Sequence, residues 1–350
     1  MNHFQKYLVD EFAEDYQEGR MTRREALKLI ASVTGSLVAA STILAACTPL
    51  PENAANPTLG VTVQPSSTVE PTRPAGTATT SPTSTPGATT TPAPTAASGA
   101  TGTPASSPVA AQGTVAASDP AVKAGDLTFP GEGAALMGYL AQPSAEGKYP
   151  LVLVCHENRG LTDYIKDVTR RLAKSGYAAL AVDLLSRKGG TAAIPADQVP
   201  GTLSNIPPEQ YALDFQAGRR FFLDKPYAQA DRIGMVGFCY GGGVTWLVAA
   251  RMPELRAAVP FYGPLPLVTD VPAIKAAVLG IYGALDTRIV SGIPPVEEAM
   301  KANGKIFEKV IYPGADHAFH NDTGPRYNPE AATAAWKRTL EWFAMYLKQA

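Results

Sequence analysis

The chain has 350 residues, with 30 Lys and Arg against 31 Asp and Glu and a net charge of −1. It therefore offers neither the basic field of a nucleic-acid binder nor a polybasic membrane patch, and it suits a small, weakly charged substrate. The composition is uneven along the chain, so the organised part is shorter than the length implies.

An acidic stretch over 10–18 reads as a short cytosolic helix that is lost on cleavage and carries no assignable function. Next, Thr22-Arg23-Arg24-Glu25-Ala26-Leu27-Lys28 sets paired arginines directly before a weakly apolar run over 29–46. This resembles a twin-arginine export signal, a route for proteins already folded. The run closes on Leu44-Ala45-Ala46-Cys47, which resembles a lipoprotein lipobox, with Cys47 as the lipidated first residue of the mature chain. Residues 1–47 are thus expected to be a leader, and the product is expected lipid-anchored at the extracytoplasmic face of a bacterial membrane. A retained membrane helix is the alternative. At 18 residues the run sits at the lower limit for spanning, and its Ala, Ser, Thr and Gly content argues against that.

From 48 to 118 Thr, Pro, Ala, Ser and Gly dominate, with Glu52, Glu70 and Arg73 as the only charges before Ser118. Such a segment has little to bury against about 1–2 kcal/mol per residue of backbone ordering entropy, which predicts a disordered, semi-extended tether.

From 119 to 350 short apolar runs alternate with amphipathic stretches. Strands are expected at 134–141, 151–156, 177–183, 233–238, 257–262, 278–282 and 305–312, with helices at 163–175, 208–223, 241–251, 295–302 and 329–348. Near-continuous apolar strands separated by helices predict an α/β domain whose mainly parallel sheet is covered on both faces. Ligands of such sheets bind beyond the carboxyl ends of the strands.

At one such end lies Gly237-Phe238-Cys239-Tyr240-Gly241, a G-x-nucleophile-x-G elbow with Cys in the usual place of Ser. The flanking glycines let backbone crowd a sharply turned residue, and a helix N-terminus behind the thiol predicts a lowered thiol pKa. Cys155, inside the apolar run 151–155, reads as core, and three cysteines with separate surroundings suggest no disulfide. Acid and base follow the nucleophile in this fold: Asp286 comes after the strand 278–282, and His317 after the last strand. His317 would take the thiol proton and return it to the leaving group, while Asp286 would fix the imidazole tautomer. Asp316 is a rival acid too close in sequence to point at His317. His3, His156 and His320 lack the position or the order.

Together with Cys155-His156-Glu157-Asn158-Arg159-Gly160 and Gly314-Ala315-Asp316-His317-Ala318-Phe319, these residues make 126–347 resemble the dienelactone hydrolase family of carboxylic ester hydrolases, of α/β-hydrolase fold. The resemblance implies a Cys239, His317 and Asp286 triad, with Glu157 close to the thiol and controlling its ionisation. It also implies an oxyanion hole from the backbone N–H groups of Tyr240 and Asn158. The family's arginine four residues past the histidine is Asn321 here, so the substrate need not be dienelactone; Arg159 and Arg187 are the candidate carboxylate partners. The expectation is a monomeric hydrolase of small esters or lactones, without cofactor or metal, working through a thioester on Cys239. A surface-tethered binding lipoprotein that keeps the fold without catalysis is the competing reading.

Overall fold

The computed structural model describes residues 1–47 and 113–348. Most of the expected tether therefore lies outside the described residues. Three N-terminal helices come first: α1 (His3–Gln17), α2 (Arg23–Thr34) and α3 (Leu37–Ala46). α1 is specified locally, because Asn2 accepts from the Gln5 N–H while the Gln5 side chain bonds back to the Asn2 N–H, a capping box. The apolar run over 29–46 is broken by Gly35, left-handed at φ 69°, which ends α2. No helix among the described residues is long and apolar enough to cross a membrane.

The sheet contains β1 (Val122–Gly131), β2 (Ala134–Pro143), β3 (Tyr149–Cys155), β4 (Ala178–Val182), β5 (Ala228–Phe238), β6 (Ala257–Phe261), β7 (Ala277–Gly283) and β8 (Phe307–Tyr312). Their spatial order is β1-β2-β4-β3-β5-β6-β7-β8. The pairs β1–β2 and β2–β4 are antiparallel and the remainder parallel. All residues of β4, β6 and β7 are buried, as strands covered on both faces must be. The helices after β3 are α4 (Asp163–Lys174), α5 (Val199–Ser204), which packs on α1 and α2, α6 (Pro208–Phe221), α7 (Tyr240–Arg251), α8 (Thr287–Val290), α9 (Ile293–Ala302) and α10 (Pro329–Phe343).

The seven expected strands and five expected helices are present, with ends displaced by a few residues. β5 begins five residues earlier than expected, and the β3–β5 register shifts at Pro150/Leu151. β1 escapes the sequence reading because it is an edge strand, where Lys123, Asp126 and Pro130 interrupt any apolar run. The ordered domain also reaches back before residue 119. Val115 is buried with Val122, Ala141 and Ala173, and its N–H bonds Asp167 Oδ1 at 2.6 Å.

Candidate active site

Cys239 sits between β5 and α7 with φ 55° and ψ −120°, a conformation that is strained for a residue with a Cβ. The turn is held by close backbone approach. A Cβ on Gly237 would lie 2.1 Å from the Gly241 carbonyl oxygen, and one on Gly241 would lie 2.5 Å from that of His156. Among the described residues the other non-glycine positive-φ positions are Tyr262 and Ala318, and both adjoin the site: the Tyr262 ring packs edge-on 5.1 Å from the His317 ring, and Ala318 follows His317.

Asp286 follows β7 and caps α8, its Oδ1 accepting from the Ile289 N–H at 3.4 Å. His317 follows β8, and its Nδ1 lies 2.7 Å from Asp286 Oδ2. A nitrogen of the ring lies within 4.8 Å of Cys239 Sγ, and since Nδ1 is engaged with Asp286 while the Tyr7 hydroxyl stands 3.4 Å from both Nε2 and Sγ, the Nε2 edge is the one toward the thiol. Asp316 accepts from the backbone N–H of His317 at 2.6 Å instead of meeting its ring. Of the rival histidines, His156 accepts the Leu184 N–H on Nε2 at 3.2 Å, and His320 Nδ1 meets Tyr164 OH at 2.6 Å. Cys155 is buried in β3, and the three cysteines are free.

Burial disfavours ionisation of Asp286, but the facing imidazole, with Arg288 and the Ile289 N–H, outweighs it and holds the carboxyl below its ordinary value. Burial likewise disfavours imidazolium at His317, and Asp286 and Cys239 together outweigh it, lifting the ring well above its usual value. The thiol behaves contrary to the helix-dipole expectation. Burial first, and then the charge of Glu11, push Cys239 up.

Glu157 is buried at the carboxyl end of β3 and accepts from Asn321 Nδ2 at 2.8 Å on Oε2. The residue standing where the family has its arginine is therefore engaged with the glutamate. Burial raises Glu157 to about 7, against the lowering pull of His317 and Asn321. The ionised carboxylate also acts to raise the thiol. Glu157→Gln removes that negative charge and should move the pH of half-maximal iodoacetamide labelling of Cys239 downward; a rate–pH profile showing an upward move would refute this.

Tyr240 is the first residue of α7, so its N–H has no acceptor within the helix, and Asn158 follows the end of β3. Arg159 is exposed and lines the same cavity as Cys239. Arg187 does not join them: its guanidinium is committed to the buried Asp214 at 2.9 Å, which corrects the expectation that it meets substrate.

Sequence reasoning missed what covers the site. Tyr7 of α1 places its OH 3.4 Å from both Cys239 Sγ and His317 Nε2. Glu11, one turn on, is buried with its carboxylate oxygens 3.8 Å from Sγ. The available signal was Phe4, Tyr7, Leu8, Glu11 and Phe12 repeating at helical spacing behind the capping box. Glu11, Cys239 and His317 are also the one set among the described residues whose donor atoms could hold a metal ion. A metal there would consume the thiolate and the Nε2 lone pair.

The profile of the dienelactone hydrolase family matches residues 136–347. A Methylorubrum extorquens protein named "Putative carboxymethylenebutenolidase" is 40% identical over 239 residues, covering 64% of this chain and 81% of that one. A Bradyrhizobium protein named "Probable 2-oxo-3-(5-oxofuran-2-ylidene)propanoate lactonase" is 33% identical over 227 residues, covering 61% and 91%. Among solved structures, the "Putative Dienelactone Hydrolase" of Klebsiella pneumoniae superposes with a TM-score of 0.61 at 35% identity, covering 65% of this chain and all of that one.

Proposed function

The chain belongs to the dienelactone hydrolase family and is a hydrolase of carboxylic ester bonds, and on that premise we propose that it cleaves small esters or lactones through a thioester on Cys239. The observation that carries this is the relay in which Asp286 Oδ2 lies 2.7 Å from His317 Nδ1 while Nε2 faces the thiol. His317 takes the thiol proton, and sulfur attacks the carbonyl carbon. The resulting oxyanion is held by the N–H groups of Tyr240 and Asn158, each of order ~3–4 kcal/mol in the transition state. Collapse expels the alkoxide, which takes the proton from His317. Water, deprotonated by the same ring, then hydrolyses the thioester and regenerates the thiol. Arg159 is the carboxylate partner that remains in the cavity. The test is a screen of short p-nitrophenyl esters and lactones with mass-spectrometric detection of acylated Cys239; turnover with no acyl adduct on that residue at any quench time would exclude the thioester route.

A surface-tethered binder lacking catalysis finds no specific support, because ordered acid, base and thiol are unnecessary for binding. We further propose export of the folded chain and lipidation at Cys47, supported by Arg23 and Arg24 standing exposed on α2. Cys47→Ala should abolish metabolic labelling with a fatty acid, and retained label would refute lipidation.

A further inference from the structure

The leader does more at the site than a cleavable address requires. α1 turns one face inward, burying Phe4, Tyr7, Leu8, Glu11 and Phe12. Phe4 packs 5.0 Å from the Tyr240 ring and 5.8 Å from Tyr211. Polar contacts fix the register along the whole helix. Asn2 Nδ2 donates to the Ser204 carbonyl at 3.1 Å, Gln5 Nε2 to Asn205 Oδ1 at 2.8 Å, and at the far end Arg288 Nε to Glu14 Oε2 at 2.8 Å. Arg326, which lines the cavity beside Cys239, pairs with Asp15 at 3.3 Å, and the Arg288 guanidinium also stands 4.8 Å from the Tyr7 ring centre. α2 is fitted as closely: a Cβ on Gly201 of α5 would lie 2.2 Å from the Ser32 carbonyl oxygen.

This seating is incompatible with chemistry. An acyl carbon must come to about 3–3.5 Å from sulfur along an open line. The Tyr7 hydroxyl already occupies that distance from Sγ and bridges to the base. Glu11 brings a carboxylate 3.9 Å from Nε2, where it competes with the thiolate as partner of a protonated ring, and it also accepts from Asn158 Nδ2 at 3.3 Å. A tetrahedral oxyanion formed at Cys239 would face the Glu11 charge. The cavity left under the leader is about 220 Å³, less than the roughly 300 Å³ at which small-molecule pockets begin.

We propose that helix α1 is an intramolecular inhibitor, a pseudosubstrate that seats Tyr7 and Glu11 on the thiol and its base, so that the chain is latent until the leader is released. The proposal rests on Cys239 being the nucleophile. It gives the acidic stretch of the leader a role, and it means that cleavage before Cys47 would switch the enzyme on as well as anchor it. Leader and substrate bind in mutual exclusion.

The experiment uses the full chain carrying a protease recognition sequence inserted within 48–112, compared before and after cutting and dilution. Iodoacetamide labelling of Cys239 reads access to the thiol and does not require hydrolysis; p-nitrophenyl acetate turnover reads activity. Cutting should raise both rates at least about tenfold, and a synthetic peptide of residues 1–21 should restore inhibition competitively, raising KM and leaving kcat unchanged. The same peptide with Tyr7→Ala and Glu11→Ala should fail. Uncut Phe4→Asp/Leu8→Asp, with folding checked by circular dichroism, should match the cut protein. Equal labelling rates before and after cutting would overturn the proposal. So would a fall in turnover on cutting, which would make α1 part of the machinery. Turnover absent in both forms with labelling still released by cutting would refute the hydrolytic reading of Cys239 while leaving the inhibitory helix in place.

Discussion

Cys239→Ala, in the chain with its leader displaced, should lower kcat/KM for short esters by at least about four orders of magnitude while leaving the fold intact. Sulfur is the atom that forms the acyl bond, and no neighbour can substitute for it. Cys155 is buried in β3, and Cys47 lies at the C-terminal end of α3. His317, Asp286 and the helix N-terminus remain, so whatever rate persists reports binding and oxyanion stabilisation without a nucleophile. The stability change should be small. The replacement removes one sulfur, keeps the Cβ, and retains a non-glycine residue at the strained φ of 55°. Measured by p-nitrophenol release alongside thermal melting, activity within tenfold of the parent would sink the role given to Cys239.

The position of Cys239 was legible before any coordinates because it depends on local rules. A strand, a G-x-C-x-G turn and a helix in succession leave one place for the side chain, and post-strand positions in the right order single out Asp286 and His317. The central strands were legible for a related reason: burial on both faces removes polar residues from them. β1 was not, because an edge strand with a wet side tolerates Lys123, Asp126 and Pro130. Arg187 was misplaced because sequence shows that it follows β4 but not that Asp214, 27 residues on, reaches it. A helix N-terminus is a local feature that favours the thiolate, whereas the burial that most raises the thiol, and the charge of Glu11 from 228 residues away that adds to it, arise only from the packed fold. Tyr7 and Glu11 of α1, far from Cys239 in sequence, are thus in direct contact with its sulfur.

Asp286→Asn should cost kcat about four orders of magnitude, nearly as much as removing the nucleophile, although it changes one oxygen to an amide nitrogen. The reason lies in the two bonds of that carboxylate. Oδ1 accepts from the Ile289 N–H at 3.4 Å as the cap of α8, while Oδ2 meets His317 Nδ1 at 2.7 Å. Asparagine caps a helix as well as aspartate does, so α8 should persist with the amide oxygen toward Ile289. The NH2 group then faces Nδ1 and donates to it, which forces the ring proton onto Nε2. A ring protonated at Nε2 cannot accept from the thiol. The same change removes the negative charge that lifts His317, so the ring's pKa should fall, and nitrogen NMR of the imidazole would read both the tautomer and the titration. A ring still protonated at Nδ1, with kcat within tenfold of the parent, would show that Asp286 does not orient the base.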